Sequence, residues 1–237
     1  MSVANPMISK VRELHAYGSE TATYTGVAIK SLALVGIVTA SALITWVMGY
    51  ATPVTAMVTS IMGFITALAI SFRPTWAGFL SPLYAILEGM FLAAVSAIFA
   101  KTYHGIVVNA VMITFGIAIS SALIYARGYV KVNEGFMRAV FMATLGIAIT
   151  YIIEFILSFF GIRIPQIHQG GIVGIVFSLV VIAVATLNLF VDYENISQSV
   201  RQGLPKDYEW FCAFGLLVTL IWLYIEVLNL LRKLKEE

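Results

Sequence analysis

Seven stretches of mostly apolar residues, each near the length of about 20 that a helix needs to cross a bilayer, recur along this chain between short polar turns. They are 31–50, 55–72, 79–100, 105–125, 139–161, a sixth from Ile172 that runs on through Gln198 to Gln202, and 210–231. Hydrocarbon offers no water to a backbone N–H or C=O, so a spanning segment must satisfy its own polar groups, and strings of this length do so as α-helices. Composition agrees. Hydrophobic residues make up 60% of the chain and charged residues 11%, against about a quarter charged in a soluble domain. The expected fold class is an all-α integral membrane protein, with residues 31–237 as a single seven-transmembrane-helix domain after a polar tail, 1–30. That tail has no apolar signal-peptide core, so the first helix is expected to insert uncleaved.

The breaks between helices have local causes. Pro74 in FRPTW cannot continue a helix, and Gly203 with Pro205 ends the sixth. Pro165 and a pair of glycines mark the turn before Ile172, where Gly170 and Gly174 read as a close-packing pair. Lysines and arginines set the orientation. With the N-terminus inside, nine (Lys10, Arg12, Lys30, Arg73, Arg127, Lys131, Arg138, Arg201, Lys206) lie inside and five (Lys101, Arg163, Arg232, Lys233, Lys235) outside. The N-terminus is therefore expected in the cytoplasm.

The acids inside the apolar spans carry the chemistry. Asn188, Asp192, Asn195 and Ser199 follow one another at spacings of four, three and four, which places them on one helix face. Thr219, Trp222, Glu226 and Asn229 form a similar stripe on the last helix. A carboxylate turned toward lipid costs several kcal/mol, so Asp192 and Glu226 must face protein or water. Brought together in low dielectric, the pair would share a proton and titrate as a unit, or bind a hard cation such as Ca²⁺. Glu88 is a third candidate for the ion path, with interhelical hydrogen bonding as its plain structural reading. Glu154 reads as a solvated acid near the membrane surface.

Other chemistries find little support in the sequence. His15, His104 and His168 lie far apart, and the single cysteine, Cys212, permits no internal disulfide. No phosphate loop, no protease signature and no nucleophile–base pairing is visible, so neither an enzyme nor a cofactor is expected. The net charge of +2 shows no basic block for nucleic acid.

Four segments in order, SVANPMISK (2–10), PLYAILEGMFLAAVSAIF (82–99), NLFVDYENI (188–196) and YEWFCAFGLLVTLIWLYIEVLNLLRKL (208–234), carry a resemblance to a known family. The chain resembles the transmembrane Bax inhibitor motif family, in its bacterial Bax-inhibitor-like branch. That resemblance implies a seven-helix bundle with the last helix central, wrapped by the other six, in a bacterial cytoplasmic (inner) membrane. It implies a pH-sensitive Ca²⁺ leak, with an acid late in helix six and one in helix seven as sensor and an arginine ending helix two as latch. By position these are Asp192, Glu226 and Arg73, with Asn188, Asn195 and Asn229 as supporting polar groups.

The sequence departs from that pattern in two ways. Its helix-seven acid is Glu rather than Asp, and the two acids are 34 residues apart, further than the pattern has them. With a turn at Gly203–Pro205, regular helices would leave the acids about 16 Å out of step along the axis. Two functions are expected from different classes. The first is a passive pH-gated cation leak whose partners are the bilayer and Ca²⁺ or H⁺. The second is a regulator that binds and restrains another membrane protein, such as a membrane-bound protease.

Overall fold

The computed structural model describes residues 20–160 and 171–236. Among these, seven helices are long and apolar enough to cross a membrane. They are α1 (Tyr24–Val47), α2 (Pro53–Phe72), α3 (Ala77–Thr102, preceded by a single 3₁₀ turn at Pro74–Trp76), α4 (Ile106–Ala126), α5 (Glu134–Phe159), α6 (Ile172–Arg201) and α7 (Tyr208–Lys235). The described residues form no strand; one isolated bridge joins Thr21 and Pro205. The protein is an all-α integral membrane protein.

Helix ends follow local chemistry. Thr52 accepts the Thr55 N–H at 3.2 Å and Pro53 opens α2, while Asn133 accepts the Phe136 N–H at 2.8 Å at the head of α5. Gly203, at φ +63°, turns the chain out of α6; its N–H reaches the Val200 carbonyl at 3.1 Å and that of Leu204 reaches Ser199 at 3.0 Å. The expected boundary of the polar tail needs correction. α1 begins at Tyr24, because the Thr23 hydroxyl accepts the Gly26 N–H at 2.9 Å and the chain is helical from there. Lys30 therefore lies within the first helix instead of before it. α7 likewise runs four residues further than expected, to Lys235. The pair Gly170–Gly174, the turn with Pro165 and Arg163, and the residues Lys10, Arg12, His15 and His168 lie wholly or partly outside the described residues.

The chain divides into two compact units, Met1–Ala93 with Glu194–Leu217, and Ala94–Tyr193 with Val218–Glu237. In the first unit the lead into α1 is tied to the turn after α6. Ala22 donates to the Leu204 carbonyl at 2.8 Å, Lys206 donates its backbone N–H to Glu20 at 3.0 Å, and their side chains form an ion pair. The Glu20 carboxylate holds the Lys206 ammonium above the usual lysine range. α3 meets α1 at Gly89, where a side chain would strike the Val38 carbonyl and Ser41; the Ser41 hydroxyl donates to the Ile86 carbonyl at 2.7 Å.

In the second unit Ile147, Val181 and Val184 form a core against Tyr151, Phe177 and Trp222. Ser96 and Tyr224 share a buried hydrogen bond of 2.7 Å. In lipid such contacts stabilise through close packing and hydrogen bonding, because helices gain nothing by leaving an equally apolar solvent. α7 is the most buried of the seven helices, with 56% of its most apolar stretch inside the protein against 11% for α1 and α5. Only a helix so enclosed can carry several polar side chains through hydrocarbon.

Candidate functional site

Asp192 and Glu226 lie in the second unit, each with its own partners. Asp192, half-buried on α6, accepts the hydroxyl of the buried Thr219 of α7 at 2.6 Å. The two predicted polar stripes do therefore meet, at this pair. The next residue on α6 fixes the helix in place. The Tyr193 hydroxyl donates to the Ala118 carbonyl at 3.1 Å and stands 3.3 Å from the Ser121 hydroxyl, both on α4. One turn earlier, Asn188 donates to the Thr144 hydroxyl on α5 at 2.8 Å and to the Val184 carbonyl at 2.9 Å.

Glu226 is buried on α7. Its Oε1 accepts the Tyr151 hydroxyl of α5 at 2.7 Å and the Trp222 indole N–H at 3.3 Å. Glu154, three residues after Tyr151, is half-buried, and it acts electrostatically on both Tyr151 and Lys233, as Glu226 does. It belongs to this group rather than to the solvated surface. Lys233 also departs from the sequence reading, which placed it in the basic tail outside the membrane. Its side chain is buried, and its ammonium donates to the Gly174 carbonyl at 3.0 Å and the Ser178 hydroxyl at 2.8 Å, beside the Phe177 ring. The cause is the extra length of α7: a residue seven after Glu226 returns to the same helix face two turns on.

Asp192 thus accepts from Thr219, and Glu226 from Tyr151 and Trp222. Thr219, which marks the level of Asp192, precedes Glu226 by seven residues, about 10 Å of helix rise. That rise compares with the offset of about 16 Å reckoned from the 34-residue separation with regular helices, and the group placed beside Asp192 is a hydroxyl.

The first unit holds the remaining candidates except Asn229. Glu88 on α3 is buried, with Tyr84 one turn earlier as the polar group beside it. Gly63 of α2 leaves the room: a β-carbon there would lie 2.7 Å from Glu88 Oε1. Arg73 ends α2 exposed, its guanidinium 4.9 Å from the Trp76 ring centre. The expected latch residue therefore rests on its own turn. Asn195 is exposed, and its carbonyl accepts the Ser199 hydroxyl at 2.8 Å; Asn229, in the second unit, is half-buried.

The sequence missed a buried ion pair in the first unit. Glu209, in the first turn of α7, is 1% exposed and accepts Lys30 Nζ at 2.6 Å, the Thr23 N–H at 2.9 Å and the Thr23 hydroxyl at 3.0 Å. Lys30 also stands 5.3 Å from the centre of the Trp210 ring. A residue pair 179 apart leaves no periodic signal, although an acid and a base at the edges of apolar runs were visible.

Comparison with known proteins gives one match that decides the family. The sequence model described as "Bax inhibitor 1 like" matches residues 5–236, nearly the whole chain. The chain belongs to the Bax inhibitor 1 like family. No curated protein matches it. In this Bax inhibitor 1 like chain Asp192 of NLFVDYENI and Glu226 of WLYIEVLNLL both lie within membrane-spanning helices, and both accept a hydrogen bond from a hydroxyl on another helix. Among the described residues no three His, Cys, Asp or Glu side chains group as ligands for a metal ion.

Proposed function

We propose that the protein is a passive, pH-sensitive cation leak of a bacterial cytoplasmic membrane, its N-terminus inside, with Ca²⁺ as the permeant ion. The reading rests chiefly on the placement of two carboxyl groups, Asp192 and Glu226, inside membrane-spanning helices with hydroxyl and indole donors beside them. Such donors orient a carboxylate without neutralising it, so the group keeps the capacity to take up a proton or a passing cation. Ca²⁺ requires six to eight oxygens. Asp192 with Thr219 supplies only part of that shell, so an ion would carry water with it and leave again, which is what conduction needs. Protonation removes the charge that attracts the ion. Conduction should therefore rise as the acids ionise.

Liposomes holding the purified protein and no other test this. Flux of Ca²⁺ that depends on pH, and that loses the dependence in Asp192→Asn or Glu226→Gln, is the expected result. An unchanged pH profile in both variants would sink the carboxylate gate. Flux that needs a second membrane protein would favour the regulatory role instead.

A further inference from the structure

Glu88 belongs to the first unit, in a setting drawn from four of its helices. On its own helix, Tyr84 is beside it. From α2 comes Gly63, whose missing side chain leaves the space the carboxyl occupies. The buried threonines on that face of α2 are already committed: Thr59 donates to the Thr55 carbonyl at 2.7 Å and Thr66 to Met62 at 2.8 Å. From α1, Ser41 and the Val38 carbonyl press against Gly89, the next residue. From α7, Phe214 lies edge-on to the Tyr84 ring, centres 5.0 Å apart.

Tyr84 is the titratable group that acts on Glu88 from these four helices, and no Lys or Arg among the described residues does so. An ionised carboxylate in such a place costs several kcal/mol, whereas the neutral acid costs far less. The ligand chemistry follows from the donor count. One carboxyl and one phenol cannot build the shell of a divalent cation. A proton needs only the carboxyl itself.

We propose that Glu88, seated against Gly63 and Tyr84, is a proton-binding site in its own right that takes H⁺ and no metal ion. On release the O–H bond of the Glu88 carboxyl breaks, its proton passes to a water molecule, and the carboxylate then accepts the Tyr84 hydroxyl. On uptake the same atoms run in reverse. The site does not depend on the leak reading, and it can work in a protein that conducts nothing.

Infrared spectra of the reconstituted protein test it, with Glu88→Gln as the difference reference. The protonated-carboxyl band assigned to Glu88 should fall by at least about tenfold as the pH is raised from about 5 to about 10. It should not change when millimolar Ca²⁺ is added at fixed pH. Gly63→Ala, which drives a methyl group into the carboxyl, should move the midpoint of that fall. Labelling of the wild-type protein by a hydrophobic carbodiimide, read at Glu88 by mass spectrometry, gives a second measure that needs no variant; it should decline over the same pH range. A band that is absent or constant across that range, with labelling equally flat, would reduce Glu88 to a fixed interhelical hydrogen-bonding group. A band removed by Ca²⁺ would overturn the choice of ligand.

Discussion

The carboxylate of Glu209 occupies the space that a side chain on Gly26 would take. The first turn of α7 and the first turn of α1 are thereby locked together, with Thr23 and Lys30 donating to the same acid. Gly26→Ala must therefore displace a buried, hydrogen-bonded carboxylate. It should destabilise the protein by about 1–3 kcal/mol, the usual cost of overpacking. Thermal unfolding in detergent reads this, and Gly36→Ala is the control. Gly36 has open space around it, so alanine there should be neutral or slightly stabilising.

Removing the base from this pair should be worse than removing both partners. Lys30→Met leaves the Glu209 charge buried beside Thr23 alone and should cost about 3 kcal/mol. Lys30→Met combined with Glu209→Gln should recover most of that loss, since the amide keeps hydrogen-bonding capacity toward Thr23. Equal destabilisation in the single and double variants, measured by unfolding, would show that the ion pair contributes nothing specific.

Thr219 is predicted to matter more for Asp192 than its size suggests. Thr219→Val preserves shape but removes the donor at 2.6 Å. The stability loss should stay at about 1–2 kcal/mol. The pH profile of ion flux should shift, because the ionised form of Asp192 loses its hydrogen bond and becomes harder to reach. With less of that form at any given pH, the rise in flux moves to higher pH. Thr219→Ser should restore the wild-type profile.

Tyr151 and Trp222 both donate to Oε1 of Glu226, so their variants should not behave independently. Tyr151→Phe, which removes the shorter bond, should reduce stability by about 1–2 kcal/mol. Trp222→Phe should cost less through the hydrogen bond, and the double variant should differ from the sum of the two. Additivity in a double-mutant cycle would mean that the two donors do not cooperate at this carboxylate.

Much of this architecture was legible in the sequence, and residue by residue the reasons differ. The spans were readable because twenty apolar residues in succession admit one solution in lipid. The turn at Gly203–Pro205 was readable because glycine there adopts φ +63° and proline cannot extend the helix. The stripe carrying Asp192 was readable from spacing, as was that carrying Thr219. The 34-residue separation signalled an axial offset between Asp192 and Glu226, yet the partner that Asp192 meets, Thr219, needed the register of one helix against another. Lys233 was misplaced, since a basic residue near the end of a span looks alike whether its ammonium reaches outward to water or inward to a carbonyl.

What the chain determined by itself is a membrane-spanning, all-helical protein of the Bax inhibitor 1 like family with acids inside its spans. Side-chain periodicity and the cost of exposing polar groups to hydrocarbon act locally and leave their record in the order of residues. Only the tertiary structure decided which donor each acid meets: Thr219 for Asp192, Tyr151 and Trp222 for Glu226, Lys30 and Thr23 for Glu209. Those choices depend on axial offsets between helices, which packing fixes to within an ångström and which no spacing along a single helix encodes.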